Sequence, residues 1–216
     1  MPIETNSFSV LILLVLLGFL PLAAITVTAF AKIAIVLGLV RNALGIQQLP
    51  PNIVIYTLAV ILASFIAMPI MTEIYNEIIT EEIEFISLEE WQRAGELAMA
   101  PLKEFLIKHT DLTQLAFFKA SAEKIWESSG SFTGDEHSIA ILAPAFLLTE
   151  LTDAFKIGFL LYLPFLAVDI IVTTVLVALG MMMVPPTTIA IPFKLMLFVY
   201  LDGWSKLVHG LVLTYI

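Results

Sequence analysis

Gly180-Met181-Met182-Met183-Val184-Pro185-Pro186 is the stretch that decides how this chain folds. It lies inside an apolar sequence running from Ile139 to Ile216, and it sets three unbranched thioethers directly before a double proline that no regular helix accepts in its interior. The last third of the chain is therefore expected to form two long helical elements joined at Gly180, Pro185 and Pro186, with Pro164 as a lesser interruption. A few ionised residues recur within it: Glu150, Asp153, Lys156, Asp169, Lys194 and Asp202. A charge at bilayer depth costs roughly 2.5–3.5 kcal/mol or more, so it is kept where it pairs or lines a polar path. This pattern points to an assembly with a built interior and not to a simple anchor.

Composition fixes the class. The chain is 60% hydrophobic and 13% charged, with a mean hydropathy of +1.00, far from soluble domains. Its formal charge of −9 is concentrated between Glu73 and Glu136, where fourteen acidic residues face five basic ones. Such a segment has no attraction for nucleic acid, and no basic cluster elsewhere supplies one. The absence of cysteine removes disulfides and thiolate chemistry. His109, His137 and His209 are too dispersed for a metal site, and no phosphate loop or activated nucleophile is present, so neither a metal, a cofactor nor catalysis is expected. The best enzymatic alternative pairs Asp153 with Asp169 as an aspartyl hydrolase. Sixteen residues at 100° each put them about 160° apart on a straight helix, which argues against a shared site.

Patterning then divides the chain into three parts. Residues 1–75 read as a hydrophobic helical hairpin. Met1 to Ser7 holds Glu4 and no Lys or Arg, so it lacks the basic start of a cleavable signal, and the first apolar run is expected to be retained. That run, Phe8 to Val40, exceeds the roughly 20 residues of a span and contains Gly18, Pro21 and Lys32, which predicts a broken or kinked helix. Arg41 to Asn52 forms a polar turn in which Gly45 can end one helix and Pro51 begin the next, leading into Ile53–Tyr75.

Residues 76–138 read as a small acidic helical domain outside the hydrocarbon. Ser87-Leu88-Glu89-Glu90 is a capping box opening a helix to about His109, and Asp111 to Gln114 starts a second to about Glu127. Trp91, Leu97 or Ala98, Leu102 and Phe105 on the first, and Leu115, Phe118, Ala122 and Trp126 on the second, recur at helical spacing and predict one buried face each. Ser128 to Asp135 reads as a linker. Residues 139–216 form the C-terminal hydrophobic hairpin. The fold class is thus all-α, with membrane-class hairpins of kinked or broken helices. Arg41 and Lys32 favour the first turn on the cytoplasmic side, which leaves the acidic domain outside. Surface this apolar can also be covered by sister subunits instead of lipid.

The charges differ in pattern. Glu150, Asp153 and Lys156 fall within an arc of about 120° on one helix face and can pair locally or with a neighbour. Lys194, flanked by Phe193 and Leu195, either snorkels to the surface or needs an anion, for which Glu150 or Asp153 is the economical choice. Asp202-Gly203-Trp204 reads as the interface-level end of a span.

Several of these stretches, taken in order, carry a family resemblance: Phe30-Ala31-Lys32, Val40 to Gly45, Thr152 to Phe159, Leu163-Pro164-Phe165, Ala178 to Pro186, Pro192-Phe193-Lys194 and Leu201 to Trp204. Together they resemble the FliP/SctR (YscR) family of type III secretion export-apparatus proteins. The turn at 45–51 and the missing N-terminal signal resemble the virulence (injectisome) branch. The resemblance implies five copies of the chain, joined by two smaller gate subunits (SctS/FliQ-like and SctT/FliR-like), in a helical pore raised above the plane of the bacterial inner membrane. Larger export-apparatus proteins and unfolded substrates would be the further partners. By the same carry-over, Met181, Met182 and Met183 would form the constriction, and Glu150 with Lys194 a structural charge pair. The competing reading is a small-solute or ion transporter with a site near Asp169 or Lys156; no inverted repeat between residues 1–75 and 139–216 supports it.

Overall fold

The computed structural model describes residues 7–46, 49–83, 85, 87–127 and 138–216; residues 1–6, Gln47, Gln48 and the Ser128–Asp135 linker lie outside these. Every regular element among the described residues is an α-helix: α1 Ser7–Thr26, α2 Phe30–Leu44, α3 Asn52–Thr80, α4 Leu88–Lys108, α5 Leu112–Glu127, α6 Ile139–Ala178, α7 Pro186–Tyr200 and α8 Gly203–Leu213. They fall into two compact units, Met1–Ala29 with Ser64–Glu150, and Phe30–Ala63 with Leu151–Ile216. These units cut across the three segments read from composition, because the long helices α3 and α6 each contribute to both.

The first unit is built around the corner between α4 and α5. Glu90 N donates to Ser87 Oγ (3.2 Å) and Ser87 N to Glu90 Oε2 (2.9 Å), so the capping box forms as its spacing predicts. The α5 start is closed by Asp111 Oδ1, which accepts from the backbone of Thr113 (2.9 Å) and Gln114 (3.3 Å). Leu106, Leu142 and Phe146 are fully buried, with Val27, Leu102, Phe105, Leu115 and Ile139 packed on them. Each such side chain contributes about 1.5–3 kcal/mol. The buried centre of α4 runs through Ala94 and Leu106, while Trp91, Leu102 and Phe105 flank it half-buried. Period alone places the stripe; which residue sits at its centre depends on the neighbouring α6. Asp111 N donates to Thr149 Oγ1 (3.1 Å), tying the corner to α6.

The second unit contains α2, the start of α3, the later part of α6, α7 and α8. Ile33, Val36, Leu37, Val40 and Leu44 make α2 an apolar rod that is almost wholly covered. Its end is set by Gly45, at φ +75°, and the turn is closed by Arg41, whose Nη1 donates to Asn52 Oδ1 (2.5 Å) and the Pro50 carbonyl (3.4 Å).

The first apolar run is broken, as expected, but at Val27–Ala29 and not at Gly18 or Pro21. Pro21 sits inside α1, and the break begins within the β-branched run Ile25-Thr26-Val27-Thr28, where Thr26 Oγ1 donates back to the Leu22 carbonyl (2.8 Å). Pro164 does not interrupt α6, which is continuous over 40 residues. A proline removes one ladder hydrogen bond, and regular turns on both sides carry the helix past it. The last third also contains three helices and not two, since α7 and α8 meet at 61°. Asp202, at φ 53°, makes that bend.

Among the described residues two helices, α3 and α6, are long and apolar enough to cross a membrane, and the bent pair α7–α8 passes the same test jointly.

Candidate functional site

The Met segment forms the tip of the α6–α7 hairpin. After Ala178 the chain closes with the two hydrogen bonds of a Schellman cap: Gly180 N donates to the Val177 carbonyl (3.0 Å) and Met181 N to the Leu176 carbonyl (2.9 Å). This cap needs a left-handed residue, and Gly180 supplies it at φ +73°. On the other side Pro185, in extended conformation at φ −67°, is the N-cap of α7, and Pro186 occupies the first helical turn, where a missing N–H costs nothing. Both ends of the loop are thus fixed by backbone chemistry. Its side chains are turned outward, with Met181 47%, Met182 81% and Met183 98% exposed. Three adjacent flexible apolar side chains held in the open have no packing role within the subunit.

Behind the loop lies a buried charge of the second unit. Lys194 is only 5% exposed, and its Nζ donates to Asp169 Oδ2 (2.6 Å) and to the Ala43 carbonyl (3.0 Å). Asp169 is on α6, Lys194 on α7 and Ala43 in the last turn of α2, so one ammonium joins three helices. The Ala43 carbonyl belongs to the last turn of a helix, where a cation is favoured. Lys194 therefore does not snorkel; its intramolecular carboxylate is Asp169, a candidate buried charge that the sequence does not single out as the partner of Lys194. One signal could have found it: Asp169 and Lys194 lie almost symmetrically about the Met break, as partners across a hairpin must.

The other charged candidates are distributed differently. Lys32 is buried on α2 with its Nζ 4.4 Å from the centre of the Tyr215 ring. Asp153 and Lys156 make the local pair their spacing allows, at 3.2 Å, but both are well exposed. Asp202 is exposed at the α7–α8 bend, where the Phe198 ring stands edge-on to Trp204 at 5.3 Å between centroids. Beside it an apolar cleft of about 400 Å³ is lined by Leu161, Phe165, Leu197, Phe198, Leu207 and Leu211. Glu150 is fully buried in the first unit.

Comparison with known sequences identifies this architecture. The FliP family model matches residues 13–211. This chain belongs to the FliP family. A probable translocation protein of Sinorhizobium fredii is 52% identical over 201 residues, covering 92% of this chain and 90% of that protein. Yop proteins translocation protein R of Yersinia pestis is 42% identical over 210 residues, with 97% of each chain covered. The flagellar biosynthetic protein FliP of Pectobacterium carotovorum is 43% identical over 215 residues but is covered over only 80% of its own length. The family and its injectisome branch, expected from the sequence, are thereby shown. The match runs through the Met loop, Asp169 and Lys194 alike, so the site is part of the family domain and not an addition to it.

Proposed function

We propose that this chain is a core subunit of the type III secretion export gate, forming with sister copies and two smaller gate subunits a protein-conducting pore at the bacterial inner membrane. Five copies, the number the family resemblance implies, would present five Met loops to one axis. The observation that carries this reading is the Met181–Met183 tip: three exposed thioethers on a loop whose both ends are rigidly capped. Unbranched Met side chains adapt to varied peptide sequences and close on one another when no peptide is present, which is the property a seal for unfolded substrates requires. The translocation and secretion names of the relatives favour protein export over small-solute transport. The chain acts by shape and sealing, without catalysis of its own, and the acidic α4–α5 region faces the periplasm.

In this reading Glu150 keeps its expected role as a structural charge. Lys194 has three donors and spends two on Asp169 and Ala43. The third is free to meet Glu150 in the assembled gate.

The test replaces Met181, Met182 and Met183 together by Ala in cells making the complete gate, and measures uptake of small solutes. Uptake is expected to rise. Unchanged uptake with normal gate assembly would refute the seal. In parallel, the mass of the detergent-extracted particle, alone and with the two smaller subunits, should show a discrete ring that gains mass with its partners.

A further inference from the structure

The ion pair beneath the Met loop has a geometry that suggests more than local stabilisation. Asp169 stands nine residues before the end of α6 and Lys194 eight after the start of α7. At 1.5 Å per residue both lie about 12–14 Å below the loop, roughly level with each other. Between this level and the tip, no other ion pair or side-chain hydrogen bond among the described residues links the two helices. The ammonium also holds the Ala43 carbonyl at the end of α2, the most completely buried helix of the unit. The hairpin is therefore fastened at one polar point to a fixed post.

We propose that Asp169, Lys194 and the Ala43 carbonyl form a latch that sets the separation and tilt of α6 and α7 at the Met loop, and so governs how tightly the constriction closes. Gly45 is part of the same arrangement: a Cβ there would lie 3.4 Å from Ile191 and 3.9 Å from the Lys194 ammonium, so the turn after α2 passes close against α7. Asp169 is the half of the latch that a passing segment can disturb, because its side chain is 29% exposed whereas that of Lys194 is 6%. Its second carboxylate oxygen, Oδ1, is buried and accepts no hydrogen bond in the subunit. A donor arriving from a substrate or sister chain at the exposed part of this side chain can compete with Lys194 for the carboxylate and loosen the hairpin without unfolding it. Asp169 and Lys194 are positioning residues in this scheme. The inference rests on the Met loop being the constriction, and its test separates the two claims.

The chain has no native cysteine, so Leu179→Cys and Thr187→Cys, one on each side of the loop and both exposed, can carry spin labels in the full chain within the assembled gate. Asp169→Asn and Lys194→Met are each expected to broaden the interlabel distance distribution and shift it to longer values. The double variant should do no more than either alone. Lys206→Met, an exposed α8 lysine outside the latch, should leave it unchanged. A narrow, unshifted distribution in Asp169→Asn overturns the latch; that variant removes the charge facing Lys194 at nearly unchanged side-chain size, so it remains decisive if Lys194→Met fails to accumulate. Solute uptake reports the other claim. A widened hairpin with unchanged uptake would leave the latch standing and remove the Met loop as the seal.

Discussion

Gly180 carries the sharpest quantitative consequence of the loop geometry. It sits at φ +73°, and the Schellman hydrogen bonds of Gly180 and Met181 depend on that conformation. A Cβ built there meets nothing within 4 Å, so a substitution is resisted by the backbone alone and not by crowding. The left-handed conformation costs an L-residue about 1–2 kcal/mol, less for Asn and more for a β-branched side chain. For a chain of this size that is a fall in apparent Tm of about 2–8 °C for Gly180→Ala. The expected order of stability is therefore Gly, Asn, Ala, Val, measured by thermal unfolding in one detergent at one scan rate. A functional effect should follow the same order. Relaxing residue 180 into the right-handed region continues α6 by a turn and rotates each Met by about 100° per added residue, turning the thioethers off the tip. Solute uptake should thus rise from Asn to Val. An Ala variant as stable as the parent, or an Asn variant as damaged as Val, would refute the capping argument.

Three further outcomes are expected. Gly158→Ala would place a Cβ 3.2 Å from Leu39 Cβ and 3.3 Å from its Cγ, so it should destabilise by about 1–3 kcal/mol through overpacking of α6 on α2, with Leu39→Ala in the same chain relieving most of it. Ser87→Ala should cost about 1 kcal/mol and be strongly non-additive with Glu90→Ala in a double-mutant cycle, because each residue caps through the other. Asp153→Asn should change stability by less than about 0.5 kcal/mol, since its pair with Lys156 is exposed, in contrast to the buried Lys194 pair; a large effect in urea or thermal unfolding would show that the pair acts elsewhere.

What the sequence makes legible here is what is encoded locally. The capping box at Ser87 and Glu90, the Asp111 helix start, the Gly45 stop and the Gly180–Pro186 break each involve residues within a few positions of one another, and each forms as the spacing predicts. Two prolines misled, because their cost is fixed while the gain from flanking turns is not: Pro21 and Pro164 both lie within helices. Long-range pairing was the harder part. Lys194 announces a need for an anion, yet Glu150, Asp153 and Asp169 all satisfy the composition rule, and only the hairpin register singles out Asp169. The division into two units was not legible at all, since it interleaves segments far apart in sequence.

The dimensions of α6 bear directly on the proposed assembly. At 1.5 Å per residue its 40 residues extend about 60 Å along the helix path, against about 30 Å of hydrocarbon. A helix of that length at a tilt of 40°, the upper end of what is seen, still rises about 46 Å. One bilayer therefore cannot cover it. The subunit does not cover it either: only 11% of its most apolar window is buried, and 17% for α3. Phe155, Phe159, Leu163, Leu166 and Ile170, at successive spacings of four, four, three and four, are all exposed and make one continuous apolar stripe. Water along that stripe is unfavourable by about 25 cal/mol for each Å² left open. In the proposed gate, sister helices would supply the cover that lipid cannot give over the whole length, and assembling them would also bring the exposed Met tips together. On the proposed gate reading, the excess apolar length and the exposed methionines are two consequences of one requirement, a fold that is completed in the oligomer.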